Sequence, residues 1–395
     1  MNFFYPANIL LPKSHHEAWA TIACDQHTSD PSYWKKADSL VGHQPSALRV
    51  ILPEVYLASD NSKSIAAINQ TMQEYLQSDL FTEYPNAMIY LERTLPSGKV
   101  RRGLVGAVDL EAYDFHKGAN SPIRATEETV AERIPPRVAI RQNASLEIPH
   151  VMLLINDSEK TVIEPLSAAK ENFSLLYDFD LMLDGGHVKG YLIPQEYLAS
   201  IDSALDTLYE KSPLLFAVGD GNHSLATAKT CYEKNPTELS RSALVEVVNI
   251  HDPALEFEPI YRVLFGVDPT AVLQEMQDYF ATKTVTEQQE VIAIYQNKEE
   301  SYSIPAITTL ALSSLQKFLD DYLKKHPEVT IDYIHGIKET RELAKKDNTL
   351  GFLFDGMKKE ELFPAVEKDG ALVRKTFSMG EAADKRYYIE ARKIQ

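Results

Sequence analysis

The run LLFAVGDGNHSLATAK, Leu214 to Lys229, carries an apolar stretch into a Gly-Asp-Gly-Asn turn and starts a helical pattern at once. Asp220, Asn222, His223 and Ser224 therefore share one tight corner. LLFAV reads as a buried strand, and GDGN supplies residues that tolerate positive φ in a sharp turn. Asn222 or Ser224 can cap the helix that follows. A helix start facing a cleft, here Gly221 to Ser224, offers free N–H groups and partial positive charge, which suits a phosphate. Asp220, at the strand end, can hold Mg²⁺ with waters and phosphate oxygens completing the shell. His223 can donate to a phosphate or orient a substrate. The plainer alternative is an Asp-Gly turn with a polar cap and a histidine in the first helical turn. No Walker motif and no G-x-G-x-x-G occur in the chain.

Three further clusters carry chemistry. In SPIRATEETVAERIPPR (121–137), one glutamate, Glu127 or Glu128, can act as a general base, with Arg124 steadying a phosphate or carboxylate. The structural alternative makes Thr129 and Glu132 a capping box, with Pro135-Pro136 stopping anything helical within about two turns. In IACDQHTSDPSYW (22–34), Ser29 or Asp30 can cap a helix with Pro31 in its first turn. Asp25 and Gln26 are not explained by capping and are pocket candidates. In VRKTFSMGEAADKR (373–386), Lys375, Thr376, Ser378 and Gly380 resemble an anion-binding turn, or equally a solvated loop. No histidine group shows structural-zinc spacing, and His15-His16-Glu17 lacks the spacing of a zinc helix.

These residues need a scaffold. Strand-like runs occupy 48–57, 88–93, 102–110, 150–156, 214–218, 243–250 and 329–336, rich in Val, Ile and Tyr and bounded by Pro, Asp or Gly. Helical stripes join Ile65, Ile68, Met72 and Leu76; Tyr197, Ile201, Leu205 and Leu208; and Leu315, Phe318, Leu319, Tyr322 and Leu323. Strands and helices mix without a steady βαβ beat, so the expected class is α+β, with mixed sheets and packed helices. Polar, Gly- and Pro-rich stretches at 114–122 and 265–270 suggest three parts, 1–115, 116–265 and 266–395.

Composition bounds the function. The chain has 395 residues, 44% hydrophobic and 25% charged, which are globular values. Its formal charge of -17 opposes a polyphosphate backbone on average, so broad nucleic-acid binding is not expected. Cys24 and Cys231 are the two cysteines, in no metal spacing, which argues against a disulfide framework. The start does not read as a signal peptide, and no run approaches a membrane span. A soluble cytoplasmic protein with no membrane partner is the expectation.

Taken together, the motifs resemble a bacterial and archaeal family long labelled as a domain of unknown function. It includes nucleotide-dependent free serine kinases of the SerK and SbnI type, built around a ParB/sulfiredoxin-like core. Members carry a segment like R-P-H-E-x-T and a strand ending in D-G-H-H-R before a helix. RATEET is similar to the first, placing Glu127 on the family's glutamate with Arg124 and Thr129 beside it. DGNHS is similar to the second, placing Asp220, Gly221 and His223 on conforming positions. NIHDPALEFEPIYR aligns Arg262, and ALVRKTFSMG aligns Lys375 and Thr376. Asn222, Ser224 and Thr126 stand where the family has histidine, arginine and histidine. Lys375, Arg124 and Arg262 are the cations available to replace the arginine.

The resemblance implies a ParB/sulfiredoxin-like core in the middle of the chain. It also implies a phosphotransferase using Mg²⁺ and ATP or ADP on a small hydroxyl acceptor such as L-serine. Glu127 would take the hydroxyl proton, and the D-G-x-H turn would hold the metal and the transferred phosphoryl group. A nucleotide-binding regulatory protein using the same corner without turnover is the alternative. A DNA-binding ParB relative is disfavoured by the charge, and a metal hydrolase ranks below it.

Overall fold

The computed structural model describes residues 3–58, 60–116 and 118–395. The chain divides into two compact units. The first contains the chain up to Ala125, Thr129–Leu255 and Gly380–Gln395; the second contains Thr126–Glu128 and Glu256–Met379. The class is α+β, with mixed sheets and packed helices.

Among its described residues, the first unit is built on a ten-stranded sheet. The main path runs Ser174–Asp180, His187–Leu192, Ile89–Thr94, Val100–Asp109, Ser242–Asn249, Met152–Ile155, Phe216–Asp220, Ile123–Ala125 and Tyr113–Asp114, with Phe4–Tyr5 paired to Val100–Asp109. Most neighbours are antiparallel. Met152–Ile155 runs parallel to Ser242–Asn249, and Ile123–Ala125 runs parallel to both of its neighbours. Successive side chains point to opposite faces. Ile89, Leu91, Val105, Ala107 and Leu244 thus join Trp19, Trp34, Ile68 and Met72 in one core. Tyr90, Leu104, Val108, Val245 and Val247 join Ile201, Leu205, Leu225 and Ala228 in another. A one-residue slip would exchange the two sets, so burial on both faces fixes the register.

The carboxyl-terminal segment ties into this unit through buried charges. Glu246, fully buried, accepts from Arg386 Nε at 2.8 Å and lies 3.4 Å from Arg101 Nε. Arg386 also donates to Glu390 at 2.7 Å, and Tyr387–Tyr388 pairs with Thr21–Ile22.

In the second unit the described strands form a six-stranded antiparallel sheet, in the order Lys298–Pro305, Gln288–Tyr295, Thr349–Leu353, Phe257–Phe265, Thr330–His335, with Phe377–Met379 pairing to the start of Phe257–Phe265. Helices Pro269–Ala281 and Ala311–Lys325 bury Val272, Met276, Leu315, Phe318 and Leu319 against Val291, Ala293, Leu350 and Phe352. Glu127 enters this unit by a parallel bridge to Leu372.

Three local readings of the sequence are corrected. The run 48–57 is not a strand: it forms 3₁₀ turns at Ala47–Arg49 and Glu54–Tyr56, because Pro53 has no N–H for a ladder. Pro135 and Pro136 do not stop a helix. They open one, Ile134–Arg141, where a missing N–H costs nothing. No capping box forms at Thr129: the short turn Ala131–Arg133 has Val130 at its cap and no side-chain cap.

Candidate active site

The Asp220 corner sits at the end of the strand Phe216–Asp220. Gly221 follows with φ 78°, and the helix Asn222–Lys234 begins immediately. The positive φ and close packing explain the glycine, since a Cβ there would meet the Val151 Cα at 3.0 Å. Neither Asn222 nor Ser224 caps the helix: Gly221 takes the cap position and no side-chain cap bond forms. Asp220 Oδ1 accepts from the Gly221 N–H at 2.9 Å, and its Oδ2 lies 3.4 Å from Lys385 Nζ. The Oδ1 of Asn222 is buried without a hydrogen-bond partner. His223 accepts the Val130 N–H at its Nε2 (3.2 Å), so the proton of its neutral form belongs on Nδ1.

A second set of polar groups adjoins this corner within the same unit. His150 is buried, and its Nδ1 lies 2.8 Å from the Tyr388 hydroxyl. Its Nε2 lies 3.5 Å from Asp25 Oδ2, and Gln26 donates to Asp25 Oδ1 at 3.1 Å. Burial opposes the Asp25 charge. The His150 imidazolium and the hydrogen bonds from His150 and Gln26 overcome it and hold the carboxyl well below its usual range. Burial likewise opposes the charged form of His150, but Asp25 and then Asp220 raise its pKa. Burial, aided by Asp25, pushes the Cys24 thiol up to about 11, so it stays protonated at neutral pH.

Glu127, Arg262, Lys375 and Thr376 come together in the second unit. Thr376 N–H donates to Glu127 Oε1 at 3.4 Å. Burial raises the Glu127 carboxyl above its ordinary value, against the backbone donors of Lys375 and Thr376 and the charges of Arg262 and Arg374. Arg262 is fully buried, and burial lowers it to about 10. It donates to Gln316 and to the carbonyls of Ile260, Arg374 and Lys375, so it holds the 374–376 backbone in place. Lys375 has φ 53° and its ammonium stands 5.2 Å from the Tyr333 ring centroid.

The family described as a protein of unknown function, DUF1015, matches residues 4–322. The chain belongs to the DUF1015 family. No curated protein matches it. Among solved structures, this DUF1015 member is similar to a free serine kinase in complex with AMP, at 12% identity and TM-score 0.41, covering 75% of this chain and 93% of that one. It is also similar to C-terminally truncated SbnI from Staphylococcus aureus, at 10% identity and TM-score 0.39, covering 72% and 85%. A conserved hypothetical protein from Pyrococcus furiosus gives 12% identity and TM-score 0.35 over 74% and 92%.

The remaining expected residues of this DUF1015 chain fall in the first unit. Arg124 is buried in the strand Ile123–Ala125, with Nε donating to the Ser121 carbonyl at 2.8 Å. Thr129 buries an Oγ1 that has no hydrogen-bond partner. The sequence reading missed His150, Tyr388 and Lys385. A histidine after a proline, a tyrosine in YY and a lysine in DKR carry no spacing signal; only folding sets them beside Asp25 and Asp220. Among the described residues, no group of three or more His, Cys, Asp or Glu side chains could hold a metal ion, and no helix is long and apolar enough to cross a membrane.

Proposed function

We propose that this DUF1015 protein is a nucleotide-dependent phosphotransferase acting on a small hydroxyl compound, with free L-serine the first acceptor to test. The observation that carries the reading is the uncapped start of the 13-residue helix Asn222–Lys234, placed directly behind Asp220 by a left-handed glycine. That start offers N–H donors and positive potential to a phosphate. Its glycine cap supplies no side-chain acceptor for those N–H groups.

Roles follow residue by residue. Gly221, Asn222 and Ser224 frame the phosphate cradle. His223 holds the 129–130 loop by accepting the Val130 N–H at Nε2, and its Nδ1–H is suited to donate to an anion. Glu127 is the proposed proton acceptor: its raised carboxyl lies closer to neutral pH, where a general base works best. Thr376 and Lys375 flank it, and Arg262 keeps them there. Arg124 and Thr129 are proposed as further phosphate- or nucleotide-binding residues, and Asp25 and Gln26 as further pocket residues.

Asp220 offers one carboxylate, with one oxygen already accepting a backbone N–H. That donor set fits Mg²⁺ bound jointly by Asp220 and nucleotide phosphates, with water completing six ligands; it does not build an all-protein cage. A metal so bound would neutralise phosphate charge during transfer.

The test is nucleotide binding by calorimetry alongside turnover. ATP or ADP binding that disappears in Asp220→Ala, together with a phosphorylated product, supports the reading. Binding without product under any acceptor supports a nucleotide-sensing regulator using the same corner. Absence of binding in the wild type contradicts both.

A further inference from the structure

We propose that a cavity in the second unit, floored by Tyr261, Ile292 and Leu353, binds an amphipathic primary amine, an ammonium head on an apolar body. The inference does not depend on phosphoryl transfer.

The cavity measures about 570 Å³, within the range of about 300–1,000 Å³ for small-molecule sites. Every residue that lines it belongs to the second unit. Its floor is one face of the six-stranded sheet. Val291, Ala293, Leu350 and Phe352 bury the other face against helices Pro269–Ala281 and Ala311–Lys325. Side chains alternate along a strand, so Ile292 and Leu353, paired across their strands, point the opposite way. Tyr261 does too, since its neighbour Arg262 pairs with Phe352. Phe354 and Met357 continue the apolar wall, and Ile337, 43% exposed, extends it.

Two polar groups in this lining have no protein partner. Tyr261 is 5% exposed, yet among the described residues its hydroxyl has no hydrogen bond. A tyrosine so buried ordinarily finds one. Asp355 likewise has no hydrogen bond or ion pair among the described residues. The two act on each other: burial and then the Asp355 charge raise the Tyr261 pKa, so the phenol stays protonated at neutral pH. An ammonium group answers both, donating to the carboxylate and to the phenol oxygen. It also suits the faces of Tyr261 and Phe354, whose ring centroids are 5.3 Å apart.

The rest of the lining has the same sign. Glu290 and Glu361 add two carboxylates. Arg341 is already held by Glu299 at 2.7 and 3.1 Å, which leaves Lys358 as the uncommitted cation among the described lining residues. Such a field gathers cations and rejects a carboxylate or phosphate. The apolar walls then select an amine with a ring or chain to bury.

Calorimetry on the full chain, without nucleotide, tests this with phenethylamine, octylamine and phenylacetate. Both amines are expected to bind; phenylacetate, with the same ring and the opposite charge, is not. Asp355→Asn should weaken both amines by about tenfold or more, and Tyr261→Phe by roughly threefold or more, the ranges for a charged and a neutral hydrogen bond. Ile292→Trp, which fills the floor, should abolish binding. Asp355 is exposed, so Asp355→Asn should keep the wild-type melting temperature, and its loss of affinity then reports the contact rather than the fold. A wild type that binds neither amine overturns the assignment. So does phenylacetate binding as tightly as phenethylamine, or unchanged amine affinity in Asp355→Asn. Asp355-dependent amine binding in a protein that forms no phosphorylated product removes the transferase reading alone. Product formation without amine binding removes the amine site alone.

Discussion

His150 Nδ1 lies 2.8 Å from the Tyr388 hydroxyl while its Nε2 faces Asp25 at 3.5 Å, so one buried imidazole joins the amino-terminal CDQ segment to the carboxyl-terminal YY strand. The Asp25 carboxyl is depressed and the His150 pKa is raised. A depressed carboxylate contributes stability above its unfolded value of about 3.9 and loses it as pH falls through the folded value. A raised histidine contributes below its unfolded value of about 6.5 and loses it as pH rises through the folded value. The pair therefore supports the fold best between about pH 4 and 6.5. Asp25→Asn should cost about 1–3 kcal/mol in that window and less above it, as read by urea unfolding across pH. A cost that does not vary with pH would show that the pair does not titrate this way.

Gly221→Ala is expected to destabilise the first unit. Its φ of 78° disfavours any Cβ, and the Val151 backbone stands at 3.0 Å. A strained left-handed residue costs about 1–3 kcal/mol. Phosphate probes should also weaken, because the helix start must shift. Thermal unfolding and pyrophosphate calorimetry on the same variant read the two effects, and an unaltered melting temperature would contradict the packing argument.

Glu246 sits fully buried between Arg101 and Arg386. Removing one partner of a buried ion pair leaves an uncompensated charge and costs about 3–5 kcal/mol. Glu246→Ala should therefore unfold at clearly lower denaturant than wild type. Gly103 packs directly on the Glu246 side chain, so bulk at 103 should be poorly tolerated as well. A Glu246→Ala protein as stable as wild type would mean the network is better hydrated than its burial indicates.

Arg262 holds the carbonyls of Arg374 and Lys375, and its charge restrains the rise of the Glu127 carboxyl. Arg262→Met should raise the Glu127 titration further and loosen the 374–376 backbone, with a stability loss of about 1–3 kcal/mol from unpaired carbonyls. A carbonyl-labelled NMR titration of Glu127 reads the first effect. A Glu127 midpoint that falls in this variant would contradict the electrostatic account.

Much of this scaffold is legible in the sequence where the signal is local. The stripes Ile201–Leu205 and Leu315–Phe318–Leu319 lie on helices with those residues buried, and the runs around 89–94, 100–109 and 242–249 are strands. The Asp220-Gly221 turn follows from turn chemistry alone. The cap does not: Gly221 and Asn222 both suit a helix start, and the left-handed φ together with the close approach to Val151 selects glycine for the cap. Sheet order is non-local, so the parallel pairing of Met152–Ile155 with Ser242–Asn249 has no sequence signature. The same holds for Lys385 beside Asp220, a pairing made by a carboxyl-terminal segment that returns to the first unit.

The proposed phosphoryl transfer to a small hydroxyl compound is read by a single product assay. Purified full-length protein is incubated with Mg²⁺, ATP or ADP, and L-serine within a panel of small hydroxyl compounds, and phosphorylated products are followed by mass spectrometry. The account predicts a product, phosphoserine first among those sought, with turnover lowered by about 10²-fold or more in Glu127→Gln, the range for loss of a general base, while nucleotide binding persists. Absence of any phosphorylated product in wild type, or a Glu127→Gln rate equal to wild type, would contradict it.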